Sequence, residues 1–166
     1  MFFGRNLFQL VKKMGENETN TKTDSNFARR IEYELKRAER YRIFVSFLVF
    51  DIGPVLESIG DYSTTGENLR RNFISAINSV IGNSVREVDI VSNGNRVKIG
   101  VLCPETSRQG AEAAAKRIQV VLSNYCLNHF KNSNDYIIPV EISSFPDAAG
   151  NRSIASYSEE YADSVE

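Results

Sequence analysis

The stretch Val85–Thr106, reading V-R-E-V-D-I-V-S-N-G-N-R-V-K-I-G-V-L-C-P-E-T, constrains the fold more than any other. Two runs with strand character, Val88–Ser92 and Val97–Cys103, flank the polar turn Asn93-Gly94-Asn95. Both residue types tolerate positive φ, so Asn-Gly between apolar runs predicts a β-hairpin. Pro104 has no N–H to continue the ladder, and Thr106 is the expected cap of a helix that follows.

The other elements arrange themselves around that hairpin. Ile43–Phe50, I-F-V-S-F-L-V-F, is continuously apolar apart from one serine and predicts a central strand buried on both faces. A helix is expected before it from Ser25, its N-cap, with Phe27, Ile31, Leu35, Ala38 and Tyr41 on one face. Gly53–Thr65 is expected to hold a short helix broken at Gly60-Asp61. Glu67–Ile81 predicts a longer one, with Leu69, Phe73, Ile77 and Val80 inward and Gly82 as the stop. Beyond the hairpin, Ser107–Phe130 predicts a long helix with a stripe of Ala111, Ala114, Ile118, Val121, Leu122 and Tyr125. Tyr136–Phe145 is the last strand, and Pro139 inside it assigns it to a sheet edge. The core order is therefore βαββαβ, an α+β ferredoxin-like, palm-type sheet of spatial order 4-1-3-2 with helices packed on it.

Both termini read differently from the core. Met1–Gly15 carries Phe3, Leu7, Leu10, Val11 and Met14 at helical spacing, with Arg5, Lys12 and Lys13 largely off that stripe. Such a segment suits a protein partner, a membrane surface or its own domain. Glu16–Asp24 has no apolar residue and reads as a linker. Residues 1–24 are thus an amphipathic segment plus linker, 25–146 the domain, and 147–166 a loose polar and acidic tail.

Composition excludes several classes of function. A net charge of −1 provides no basic surface for nucleic acid. Cys103 and Cys126 have neither metal-ligand nor disulfide-framework spacing, which suits reduced thiols in a cytoplasmic protein. His129 is the one histidine, so no His-centred triad or zinc site can be assembled. No run reaches transmembrane length, and no stretch reads as a cleaved signal peptide.

The hairpin, with its second strand ending in Leu102-Cys103-Pro104-Glu105-Thr106, resembles the signature hairpin of GGDEF (diguanylate cyclase) domains, where G-G-D/E-E-F precedes L-L-P-E-T. Glu34–Tyr41, E-L-K-R-A-E-R-Y, is similar to the helix that leads into the first strand of that family. The resemblance covers roughly Phe27 to Phe145 and implies the palm-type fold. Counted back from Pro104, the five signature letters fall on Asn95, Arg96, Val97, Lys98 and Ile99. The first metal-binding Asp of the family matches Asp51, while its second acidic position is Gly53. Asp51 at a strand end is equally a helix cap or turn residue. Two-metal phosphoryl transfer needs several carboxylates to hold Mg²⁺. Val97 cannot ligate it, Lys98 opposes it, and Asn95 and Arg96 crowd the space that glycines leave open. Asp51, Asn95, Arg96, Val97 and Lys98 are thus expected to be a vestigial active site, without metal or cofactor.

A second family feature is kept. Arg86-Glu87-Val88-Asp89 matches the RxxD inhibitory motif, with five residues between Asp89 and Asn95 as in the family. The resemblance implies that Arg86 and Asp89, joined by Arg117 on the following helix, bind cyclic di-GMP. In the family the guanidinium grips guanine and phosphate while the carboxylate accepts from the base edge. The plain alternative is an exposed Arg86–Asp89 ion pair worth about 1 kcal/mol or less. Three functions follow: a non-catalytic cyclic di-GMP receptor, able to dimerise around its ligand; a ligand-independent interaction scaffold, partnered through Met1–Gly15; and an active cyclase. The first is the expectation.

Overall fold

The computed structural model describes residues 21–59, 64–92, 97–130 and 136–146. The amphipathic Met1–Gly15, the break at Gly60-Asp61, Asn95 and Arg96 in the turn, and the tail from Asp147 lie outside the described residues. The elements are α1 (Thr21–Tyr41), β1 (Val45–Asp51), α2 (Gly53–Ile59), α3 (Thr64–Ser84), β2 (Ile90–Val91), β3 (Lys98–Pro104), α4 (Arg108–His129) and β4 (Val140–Phe145). The sheet has four strands in the order β2-β3-β1-β4, all pairs antiparallel, which is the order the sequence predicts. The fold is α+β and palm-like.

β1 is central, pairing with β3 from Val45↔Pro104 to Asp51↔Lys98 and with β4 from Val45↔Phe145 to Phe50↔Val140. Strand alternation sends Leu48 and Phe50 to one face, where Ile99, Val101 and Cys103 of β3 join them under Phe73 and Ile77 of α3 and Ile118 and Leu122 of α4. Val45, Phe47, Val49 and Leu102 face the other way, onto Ile31 and Ala38 of α1. A strand without a polar face has a home only between two such layers. No helix among the described residues is long and apolar enough to cross a membrane.

Several boundaries differ from expectation, each for a local reason. α1 starts at Thr21, so Ser25 lies within it and the expected linker loses its last four residues, 21–24. Polar residues without Gly or Pro extend a helix already nucleated downstream. At the other end Arg42 adopts φ 52°, and Ile43 N donates to Ala38 O at 3.0 Å while Arg42 N donates to Glu39 O at 3.4 Å. This Schellman closure delays β1 to Val45 and leaves Tyr41 61% exposed rather than inward. In α3 the buried stripe is Phe73, Ile74, Ile77 and Ile81, and Leu69 is 53% exposed. Gly82 does not stop that helix, which continues to Ser84.

β2 shrinks to two residues because Arg86–Asp89 forms a turn, with Asp89 N donating to Arg86 O at 3.0 Å. Ser107, not Thr106, caps α4: its hydroxyl accepts from Gly110 N at 3.3 Å. The inward stripe of α4 is Ala111, Ala115, Ile118, Leu122 and Cys126, turned away from the expected Ala114 and Val121. β4 is an edge strand as expected, but Pro139 precedes it. Its carbonyl accepts from Asp51 N at 2.9 Å. Gln119 and Ser123 of α4 donate to the carbonyls of Ile138 and Tyr136 and cover that irregular approach.

Candidate functional site

The two ends of β3 hold the two groups of residues singled out in the sequence. At its start, register sets Lys98 across from Asp51. The Asp51 Oδ1 accepts from Gly53 N at 2.9 Å, the geometry of a side chain capping the start of α2. Ile52 N donates to Val97 O at 2.9 Å, which ties the hairpin to the same spot. A Cβ built on Gly53 would lie 3.0 Å from Asp51 Oδ1 and 3.0 Å from Val97 Cγ1. The position where the resemblance expects a second acid is therefore tight against two side chains. Among the described residues, no group of three or more His, Cys, Asp or Glu is arranged to hold a metal ion.

The far end of β3, about 20 Å away over seven residues, gathers charge instead. Asp89 folds back on its own turn. Its Oδ2 accepts from Arg86 N at 2.9 Å and from Arg86 Nε at 3.3 Å, and its Oδ1 accepts from Arg86 Nη2 at 2.9 Å. The same Nη2 reaches Pro104 O at 3.3 Å and the Thr106 hydroxyl. Thr106 in turn donates to Pro104 O at 2.9 Å. Bonding to Asp89 raises the Arg86 pKa further above the ordinary arginine value. The Arg86 side chain is 52% exposed while that of Asp89 is 6% exposed, so the acid acts as a seat and the guanidinium as the presented group.

Arg117 reaches this corner from α4, its Nη2 donating to Ser84 O at 3.3 Å at the end of α3. Cys103 lies beneath. Burial pushes its thiol up to about 12, with the Asp89 charge adding to the shift and Arg86 and Arg117 opposing it. The structure joins Arg86 and Asp89 directly and sets Arg117 against the Ser84 carbonyl, two residues before Arg86. The separation in sequence hid Thr106, Glu105 and Arg37. In the sequence Thr106 stands out only as the expected helix cap and as the last letter of the Pro104-Glu105-Thr106 match. Arg37 of α1 donates to Glu105 Oε1 at 2.6 Å and to Glu34 Oε2 at 3.0 Å, and these bonds raise its pKa.

No protein-family model matches the sequence, and no curated protein matches it. Solved structures do. The GGDEF domain of YfiN (TpbB) from Pseudomonas aeruginosa is similar with a TM-score of 0.57 at 20% identity, over 74% of this chain and 74% of that one. The fold is GGDEF-like. The GGDEF-like chain is also similar to the diguanylate cyclase SiaD of P. aeruginosa, solved with its activator SiaC (TM-score 0.54, 15% identity, 96% of this chain and 59% of that one). A third similar structure is the GGDEF domain of DgcB from Caulobacter crescentus in complex with c-di-GMP, with a TM-score of 0.51 and 16% identity over 71% of this chain and 68% of that one. On this GGDEF-like frame, Asp51 and the hairpin occupy one end of the central strands, and the Arg86 corner the other.

Proposed function

We propose that this chain is a GGDEF-like domain without cyclase activity that binds cyclic di-GMP at Arg86, Asp89 and Arg117 and acts as a receptor or regulatory module. One observation carries the reading: a half-exposed guanidinium seated by a buried carboxylate, with a second arginine reaching the same corner. With Nε and Nη2 held by Asp89, Pro104 O and Thr106, the guanidinium is fixed and Nη1 is left to donate to a guanine edge or a phosphate, with little rotamer freedom to be lost. Asp89 is committed to Arg86, so its part is to aim the guanidinium. The DgcB domain, solved with c-di-GMP, supplies a relative of the same fold that holds this ligand.

The absence of turnover is supported by what surrounds the remaining acid. Asp51 caps α2 and sits across from Lys98, so a metal there would compete with a backbone N–H and meet a cation. A receptor of this kind works in the cytoplasm, and binding of a shared ligand by two copies would form a homodimer. Calorimetry with cyclic di-GMP tests the site: wild type gives heat and Arg86→Ala gives none. Equal heats, or none from either, overturn the proposal. Sedimentation of the same samples checks for ligand-linked dimers.

A second reading is a ligand-independent scaffold for a protein partner. Val120 and Leu127 on α4 and Ile137 before β4 favour it, being 54%, 43% and 76% exposed. SiaD, solved with SiaC, is a structural relative that does hold a protein partner. Partner capture that survives Arg86→Ala, ignores nucleotide and is lost on deleting residues 1–16 would decide for it.

A further inference from the structure

The turn Pro104-Glu105-Thr106 touches the Arg86 corner with one side and α1 with the other. Toward the corner, Arg86 Nη2 donates to Pro104 O and to the Thr106 hydroxyl. Toward α1, Glu105 Oε1 accepts from Arg37 Nη2 at 2.6 Å. Arg37 Nη1 holds Glu34 Oε2 at 3.0 Å, and Arg30 Nη2 holds Glu34 Oε1 at 2.9 Å. Glu34 is 2% exposed, so it depends on those two cations for compensation. Beneath the turn, Ser46 Oγ donates to Thr106 O at 2.8 Å and meets Ser144 Oγ at 2.8 Å, which ties it to β1 and β4. The polar chain therefore passes from the corner to the helix on the opposite face of the sheet.

Two properties make this turn able to respond. Glu105 adopts φ 51°, a left-handed conformation that a residue with a Cβ holds only under constraint. Its carboxylate also lies in the fields of two cations: it is bonded to Arg37 and attracted by Arg86, whose pKa it helps to raise. We propose that cyclic di-GMP at Arg86 tightens the Glu105–Arg37 bond and so fixes α1 against the β3–α4 turn. The inference rests on the reading of Arg86 as the ligand-binding residue. Phosphate charge cancels the pull of Arg86 on Glu105 and repels its carboxylate, which leaves Arg37 as its sole cation. Glu34 keeps α1 folded in both states, because Arg30 and Arg37 compensate it whether or not Glu105 is engaged. The change is thus a firmer tether on a helix that is already formed, and α1 carries it toward the N-terminal segment.

Hydrogen exchange on the full chain, with and without saturating cyclic di-GMP, tests the coupling. In wild type the ligand is expected to slow exchange of the Ile31–Tyr41 amides about fivefold, the low end of ordinary coupling between sites. Glu105→Gln is the diagnostic variant: residue 105 is exposed, so the change spares the core, and α1 protection is expected to vanish while calorimetric heat remains. Ligand heat with unchanged α1 exchange in wild type overturns the coupling alone. So does protection that persists in Glu105→Gln. Absence of ligand heat in wild type overturns the binding site and the coupling with it.

Discussion

The two ends of β3 carry charge for opposite purposes. At the Lys98 end, Asp51 spends its carboxylate on the first N–H of α2, facing a cation across the ladder. At the Pro104 end, Asp89 spends its carboxylate on Arg86 and thereby turns a guanidinium outward. One acid is used to finish the fold and the other to present a partner. A side chain's type thus says less about its role than whether its bonding leaves a charged group facing solvent.

Asp89→Ala breaks this contrast most severely. It removes three hydrogen bonds to Arg86, so the guanidinium regains its rotamers and loses its aim. Affinity for cyclic di-GMP is expected to fall at least about a hundredfold, as for other buried, charge-assisted contacts. Stability falls by about 2 kcal/mol, because the Arg86 turn loses its cap. Calorimetry and urea unfolding read the two effects. Should Asp51→Ala weaken binding as much as Asp89→Ala, the two ends do not differ as described.

Gly53→Asp sharpens the contrast from the other side. The new Cβ meets Asp51 Oδ1 and Val97 Cγ1 at 3.0 Å each, and the new charge lies beside Asp51. Overpacking of this kind costs about 1–3 kcal/mol, so the urea midpoint is expected to drop clearly. Incubation with GTP and Mg²⁺ is expected to give no cyclic product from the variant or from wild type. Product from either would show that the Asp51 end is still a reaction centre.

Burial is the main cause that keeps both thiols neutral. Burial pushes Cys126 from 9.0 up to about 11, while Cys103, under the charged corner, is pushed to about 12. Folded-state values raised in this way mean that stability is fully present below about pH 9 and is lost progressively toward pH 11–12. The loss above pH 9 is expected to be shallower in Cys103→Ala/Cys126→Ala than in wild type, measured by urea unfolding across that range. A thiol reagent at pH 8 is expected to find neither cysteine until the chain is unfolded. Rapid labelling of Cys103 alone would mean that the corner opens.

Sheet order was legible because it rests on composition. Ile43–Phe50 has no polar face and belongs in the middle, and Pro139 keeps its segment at an edge. Element ends were not, because they are set by single side chains. Arg42 does at a C-terminus what glycine usually does, and Asp89 curls into a turn residues that look like strand. The helix stripes slipped for a related reason. Leu69 and Ile81 both fit spacings of three and four around Phe73 and Ile77, and only the sheet beneath decides which is buried. Arg86 and Asp89 were readable as neighbours at a fixed spacing. Their link through Thr106 and Glu105 to Arg37 joins residues far apart in sequence, and no local pattern encodes it.

The smallest effect expected is that of Asp51→Asn. Asparagine keeps an oxygen that can accept from Gly53 N, so only the charge at the start of α2 is lost. Interaction of that charge with the helix dipole is worth about 0.3–1 kcal/mol, and the lower half is expected since α2 has seven residues. Cyclic di-GMP affinity should not change, as the Arg86 corner lies at the other end of the strand. The informative measurement is thermal unfolding with and without millimolar Mg²⁺. A metal held by Asp51 would raise the wild-type midpoint in proportion to the logarithm of its concentration, and Asp51→Asn would abolish that rise. A cap gives the same small difference between the two proteins at every Mg²⁺ concentration. Parallel curves therefore identify Asp51 as part of the fold, and converging ones would return it to the chemistry of the hairpin.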